Sequence, residues 1–367
     1  MTLFQILRKT FRRSVSRTFN CLQIEASSNC FLKCIMCPRT ALADQWKSMD
    51  MPFETFEKIS QYFAQTKWVY LSGWGEPLLN KRILDMVRLA KDSGCSTGFT
   101  TNGILLTEKT CRRLIELELD VLSVSIAGAT KKTHEAIRVG SNFSRLKGNM
   151  KALSNLKDSL ESEKPKILLL FLMTKQNMGE LPLAIKLARD IGANELVATN
   201  LTYAATPLHD EIRAFSCGRA DESFTDKIKE AEHRAKELKI VFRSSSLETK
   251  EVLVCEENPL NNVYVSCDGY VSPCVYLNPP IEDIPRIFCG SSHIIQRTHF
   301  GNVNQTDLLE IWKKEDYRSF RKRFKRRSAI LEEILDFNTN TLRRIDELMK
   351  VNALPEVCKT CYKVYGI

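Results

Sequence analysis

The chain has 367 residues, of which 43% are hydrophobic and 27% charged; this excludes an intrinsically disordered chain and fits one large α/β domain with a smaller appendage. No apolar run approaches the roughly 20 residues that cross a bilayer, so no membrane-spanning helix is expected. Lys and Arg number 54 against 44 Asp and Glu, a balance that permits attraction to anions without demonstrating it.

Residues 1–19 form a basic segment in which Phe4, Leu7, Phe11, Val15 and Phe19 recur near helical spacing. Arg8, Lys9, Arg12, Arg13 and Arg17 are interleaved. A helix capping the main domain is favoured over an interfacial helix on anionic lipid, with a transit peptide a weaker third reading. The 13 cysteines follow no secretory signal. A cytoplasmic location is therefore expected, where clustered cysteines point to metal or redox chemistry rather than to a disulfide framework.

Strands are expected at Leu22–Ala26, Trp68–Ser72, Thr97–Thr101, Val121–Ile126, Ile167–Met173 and Leu196–Asn200. Helical periodicity fills the intervals at Glu54–Gln65, Arg82–Asp92, Glu108–Leu117, Phe143–Lys157, Gly179–Asp190 and Asp221–Leu238. Six β/α units over residues 20–245 are too few for an eightfold barrel and fit a partial (β/α)6 TIM-like barrel, open along one side. Chemistry is then expected at the C-terminal ends of the strands. From about residue 246 to 367 strands shorten and Cys, Gly, Pro and Asn become frequent, which reads as a small second domain able to use metal ligation in place of a large core.

The segment IEASSNCFLKCIMCPR places Cys30, Cys34 and Cys37 directly after the first strand. Three thiolates are one short of a closed zinc site or a fully ligated cubane, so either a remote residue completes the set or one position stays open. This C-x3-C-x2-C pattern resembles the signature of radical S-adenosylmethionine (SAM) enzymes. The resemblance implies a [4Fe-4S] cluster on the three thiolates, whose open iron chelates SAM and whose reduction yields a 5′-deoxyadenosyl radical. The residue before the third cysteine is often aromatic in that family, and here it is Met36.

Further resemblances follow in the family's order. Gly73, Gly75 and Glu76 in LSGWGEP are similar to its Gly-Gly-Glu element, which implies contact with the amino group of SAM. Asn102 ends the third strand in TTNG; Ser125 ends the fourth, and Arg138 follows one helical stretch later, where the resemblance implies a partner for the SAM carboxylate. Ala127-Gly128 stands where related enzymes often have Asp-Gly, and Met173 to Asn177 are expected to border the adenosine.

Cys255, Gly269-x4-Cys274 and Cys358-x2-Cys361 resemble the SPASM and twitch auxiliary-cluster domains. Four cysteines fit one auxiliary [4Fe-4S] cluster, with structural zinc as the alternative. Cys267 and Cys289 are spare ligands, Cys267 in place of Cys255 first. Cys21, Cys95, Cys111 and Cys217 show no ligand spacing and read as ordinary thiols. The stretch GNVNQTDLLEIWKKEDYRSF resembles the family's linking helix, and the basic run Arg318–Arg327 reads as a solvated helix face rather than a phosphate grip. The five histidines show no metal pairing.

The expected function is reductive cleavage of SAM and hydrogen abstraction from a peptide side chain or a small metabolite, of maturase or dehydrogenase type. No catalytic side chain is singled out. Sulfatase maturation is disfavoured because Val275 stands where those members carry an Asp. The resemblance also implies a flavodoxin- or ferredoxin-like electron donor. The alternative is a zinc-stabilised protein that binds nucleic acid through its basic patches, a partner not otherwise expected.

Overall fold

In the computed structural model, which describes residues 17–335 and 347–367, seven parallel strands follow one another across a single sheet. They are β1 (Phe19–Ile24), β2 (Thr66–Tyr70), β3 (Ser96–Thr101), β4 (Val121–Ile126), β5 (Lys166–Met173), β6 (Glu195–Asn200) and β7 (Val241–Ser244). The returning helices are α1 (Phe53–Ser60), α2 (Ile83–Asp92), α3 (Glu108–Glu116), α4 (Phe143–Ser159), α5 (Leu181–Asp190) and α6 (Glu222–Leu238). Side chains define their starts: Thr107 accepts the Thr110 N–H and Asn142 the Arg145 N–H, satisfying donors that a helix N-terminus leaves open.

The full sheet order is β7-β6-β5-β4-β3-β2-β1-β8-β9, with β8 (Asn262–Val265) and β9 (Val271–Ser272) supplied by the C-terminal part. With β7 and β9 at opposite ends, the barrel is partial and open. Strand β5 shows how its two faces divide. Ile167, Leu169, Phe171 and Met173 are fully buried under the helices, whereas Leu170 and Leu172 line cavities on the inner side.

Several boundaries differ from the sequence expectation. Phe19 is a fully buried β1 residue packed edge-on to Trp312 at 5.3 Å, so β1 begins three residues early and Phe19 leaves the amphipathic segment. Phe4 to Val15 lie outside the described residues. Strand β2 begins at Thr66, which pairs with Phe19, and ends at Tyr70 because Ser72 already turns back onto the Tyr70 carbonyl at 3.1 Å. The helix expected to reach Gln65 stops at Ser60 and is followed by a 3-10 turn. Strand β7 was not expected, being only four residues long and half exposed.

The C-terminal part does not stand apart from the sheet, since β8 pairs in parallel with β1 from Cys21–Asn262 to Ile24–Val265. A hairpin follows, β10 (Asp283–Phe288) and β11 (Ser291–Gln296), then α7 (Leu308–Lys313) and α8 (Glu315–Leu335). The basic run lies on α8, yet it is not wholly a solvated face. Arg327 is fully buried, paired with Glu251 at 2.7 Å and donating to the carbonyls of Val252, Leu253 and Asn352. Among the described residues no helix is long and apolar enough to cross a membrane.

Candidate active site

Glu25, Ser27 and Ser28 are buried as the chain leaves β1, and the loop carrying Cys30, Cys34 and Cys37 follows. Three anchors hold it. The Lys33 and Ile35 N–H groups donate to Val139 and Ile137 at 2.8 and 3.0 Å. His209 supplies the third: its Nδ1 accepts the Ala205 N–H, so Nε2 carries the proton and donates to the Ile35 carbonyl at 3.1 Å. The short helix Pro38–Ala41 starts on Cys37 and turns Arg39 back to the Leu32 carbonyl.

The three thiols influence one another electrostatically. Burial pushes the Cys37 thiol up to about 11, with the neighbouring Cys34 adding to it; burial also raises Cys30, against the opposing pull of Arg39. Such thiols gain from a cation that binds their ionised form.

The loop after β2 lies directly on the cysteine loop, with the Glu76 N–H bonded to the Asn29 carbonyl at 2.7 Å. A Cβ at Gly75 would stand 2.4 Å from the Ser27 carbonyl oxygen, and one at Gly73 would stand 2.4 Å from Glu25 Cγ. Close approach therefore requires both glycines. Glu76 is 2% exposed and accepts from the Thr101 hydroxyl at 2.7 Å and from the Asn102 and Leu78 N–H groups at 2.7 and 3.1 Å. Of about four acceptor positions on a carboxylate, this leaves one open. Burial raises its pKa, partly offset by these bonds and by the charge of Arg138.

Cys30, Cys34, Cys37, Gly73, Gly75, Glu76, Asn102, Ser125 and Arg138 all line one cavity of about 360 Å³. Asn102 Nδ2 and Arg138 Nε are buried there without a hydrogen-bond partner. Buried donors are normally satisfied, so these two fit an acceptor-bearing ligand beside the thiols. Trp74, in contact with Trp46, Tyr203 and Tyr276 at 5.5–6.0 Å, forms an aromatic wall on one side. Met173 is instead fully buried in the core, and Asn177 bonds the Ala127 and Leu172 carbonyls at 3.0 and 2.7 Å.

The second thiol set comes from three separate places. Cys255 precedes β8, Cys274 follows β9, and Cys358 and Cys361 sit in a tail held alongside residues 250–252 by the Lys250–Tyr365 and Val252–Val364 bonds. Burial raises Cys274 and Cys358 well above the usual thiol range, and Cys255 to about 12. The charges of Cys255, Cys358 and Cys361 add to the shift of Cys274, so the four lie within mutual electrostatic reach. Among the described residues no three His, Cys, Asp or Glu converge as a single-ion site. Cys267 lies elsewhere: its thiol donates to the Glu25 carbonyl at 3.2 Å.

Cys217 and Cys289, expected as an ordinary thiol and a spare ligand, form a disulfide. It joins the loop beyond the short helix Pro207–Ile212 to the tip of the β10–β11 hairpin. Residues 72 apart in sequence become neighbours only through the fold. Glu25 and His209 also escaped the sequence reading, because a carboxylate inside a strand-end run and a lone histidine carry no spacing signal.

The radical SAM superfamily model matches residues 24–188, and the SPASM model, an iron-sulfur cluster-binding domain, matches residues 255–362. The chain is 26% identical over 304 residues, 82% of each chain, to the tungsten-containing aldehyde ferredoxin oxidoreductase cofactor-modifying protein of Pyrococcus furiosus. It is 24% identical to the PqqA peptide cyclase of Bradyrhizobium diazoefficiens, over 61% of this chain and 58% of that one. Its fold is similar to Streptococcus suis SuiB bound to precursor peptide SuiA, with a TM-score of 0.62 and 16% identity over 87% of this chain and 70% of that one. Native anSMEcpe with bound AdoMet gives a TM-score of 0.60 and 18% identity over 83% of each chain.

Proposed function

The chain belongs to the radical SAM superfamily and carries a SPASM iron–sulfur domain, and on that premise we propose that it abstracts hydrogen from a peptide side chain or a small metabolite. Its cofactors are a [4Fe-4S] cluster with SAM and an auxiliary iron–sulfur cluster. When bound, these supply a 5′-deoxyadenosyl radical and an electron relay. The observation that carries the reading is the gathering of three thiols, an unpartnered Arg138 Nε and an incompletely used Glu76 carboxylate around one cavity.

The cavity suits a zwitterion. Glu76 retains an acceptor position for an ammonium group, while Arg138 and Asn102 offer donors to a carboxylate. Cys30, Cys34 and Cys37 would hold the first cluster, and Cys255, Cys274, Cys358 and Cys361 the auxiliary one. Trp74 and Tyr276 line one side of the cavity, backed by Trp46 and Tyr203, and would limit the access of water to the reacting atoms. Val275 and Tyr276, directly after Cys274, line the adjoining cavity; a substrate there would lie near the auxiliary thiols, which supports electron transfer to or from it. An iron–sulfur family model over residues 255–362 supports this over a zinc-stabilised nucleic-acid-binding protein. PqqA peptide cyclase is named for a peptide substrate, which supports the peptide alternative.

Deuterium transfer tests the proposal. The reduced enzyme is incubated with SAM and with the peptide or small-molecule fraction of a deuterated cell extract. Deuterium in 5′-deoxyadenosine from one fraction is expected. Release of 5′-deoxyadenosine that stays unlabelled with every fraction would overturn hydrogen abstraction from either class.

A further inference from the structure

Beside the thiol-lined cavity lies a second one of about 530 Å³, and the two share Ser72, Gly73, Trp74, Thr100 and Tyr276 as lining residues. A molecule seated in the second cavity therefore reaches the first past Trp74 and Tyr276. Among the described residues, the only charged side chains lining it are Glu256 and Glu257. Glu256 is engaged by Lys363 at 3.0 Å.

Most of the other polar side chains on its wall already have partners. Tyr70 bonds Thr100 and Ser123 at 2.9 and 3.0 Å, Gln23 donates to the Ser72 carbonyl at 3.1 Å, and Tyr276 accepts the Thr202 hydroxyl at 3.0 Å. Trp74 donates its indole N–H to the Val275 carbonyl at 3.3 Å. Glu257 differs. It is half-buried and lines the cavity, and among the described residues its carboxylate makes no hydrogen bond or ion pair. The charges nearest it are Lys363 and Glu256.

A half-buried carboxylate without a donor carries a cost, because burial removes part of its hydration and no protein group replaces it. A ligand that brings its own cation relieves that cost. The faces of Trp74 and Tyr276, 5.9 Å apart and nearly perpendicular, add the surfaces on which a cation is attracted to aromatic rings.

We infer that the second cavity is the substrate's specificity site and that Glu257 selects a cationic group, a primary amine or a guanidinium. The inference rests on the reading of the neighbouring cavity as the place of hydrogen abstraction. The cationic arm seats at Glu257, and the carbon to be attacked lies toward Trp74 and the thiol-lined cavity. A lysine or arginine side chain within a peptide and a free amine share this chemistry.

The test uses the iron-loaded enzyme under anaerobic conditions with SAM present. Calorimetric affinities are compared for the amidated peptide acetyl-Gly-Lys-Gly, the same peptide with norleucine in place of lysine, and n-hexylamine. The lysine peptide and the amine are expected to bind about tenfold tighter than the norleucine peptide, the scale of one charged hydrogen bond. The tighter of the two cationic probes identifies peptide or free amine as the source. Glu257→Gln is expected to bring the lysine-to-norleucine ratio to about one, and Glu257→Asp to retain a preference. Iron content monitors cluster retention, and if Glu257→Gln loses iron, the wild-type ratio and Glu257→Asp decide. Equal affinity of the wild type for lysine and norleucine, or a full preference surviving in Glu257→Gln, would overturn the assignment. Reductive SAM cleavage, assayed separately without probes, shows whether the underlying reading has failed instead.

Discussion

Cys267 and Glu25 form a two-point clasp between the end of β1 and the strand pair of the C-terminal part. The Cys267 thiol donates to the Glu25 carbonyl and its N–H to the Glu25 carboxylate, each at 3.2 Å. The same carboxylate accepts the Trp74 N–H at 2.8 Å. One buried side chain thus fixes the glycine loop, the cysteine loop and the C-terminal part relative to one another.

Removing that carboxylate leaves two buried N–H groups without an acceptor. Glu25→Ala is expected to lower unfolding stability by about 2–3 kcal/mol and to weaken SAM binding, whereas Glu25→Gln, which keeps an acceptor oxygen, costs less. Urea unfolding of the iron-loaded protein checks the order. Equal losses for the two variants would show that the bonds to Trp74 and Cys267 are not what Glu25 contributes.

Gly73 and Gly75 are predicted to differ. A methyl at Gly75 meets backbone atoms of Ser27, Ser28 and Asn29, while one at Gly73 meets the Glu25 side chain. Backbone yields less readily than a side chain, so Gly75→Ala displaces the cysteine loop and loses at least about tenfold in SAM affinity, with a smaller loss for Gly73→Ala. Titration with SAM, followed by the reduced cluster's resonance, reads both. A Gly75→Ala protein that binds SAM normally would contradict the close approach.

His134 is buried beside Arg138 and its pKa is depressed to about 3, first by burial and then by that charge. A depressed histidine favours the fold while neutral, so its contribution is intact above the unfolded value of about 6.5 and declines as pH falls toward 3. His209, also lowered by burial, acts in the same direction. The thermal midpoint is expected to fall between pH 6.5 and 5, and His134→Gln to reduce that slope. An unchanged slope in the variant would refute the assignment.

Cys217 and Cys289 are predicted to hold no iron. Cys289→Ser removes a cross-link closing a 72-residue separation and is expected to cost about 2–4 kcal/mol while iron per chain stays the same. Cys274→Ala, in contrast, lowers iron content without breaking the cross-link. Thiol counting under denaturing conditions and iron analysis separate the two; iron loss in Cys289→Ser would make that residue a ligand.

Much of this was legible in the chain because it is local. Cys30, Cys34 and Cys37 within eight residues, or Gly73 to Glu76 at a strand end, declare their chemistry by spacing, and the six β/α units by alternating periodicities. What escaped is nonlocal or unpatterned. His209 meets the cysteine loop across 174 residues, Cys217 meets Cys289 across a hairpin, and Glu257 is distinguished only by the absence of a partner that a sequence cannot display. Strand β7 is too short for a periodic signal, and Phe19 has a spacing that suits a helix as well as a strand.

Formation of 5′-deoxyadenosine from SAM by anaerobically reconstituted, dithionite-reduced protein tests the central claim most directly, with the Cys30→Ala/Cys34→Ala/Cys37→Ala variant as its control. The wild type is expected to release the product and the variant none, while the variant keeps the iron of the auxiliary site. Fully iron-loaded wild type that releases no 5′-deoxyadenosine, or a variant as active as the wild type, would contradict the account.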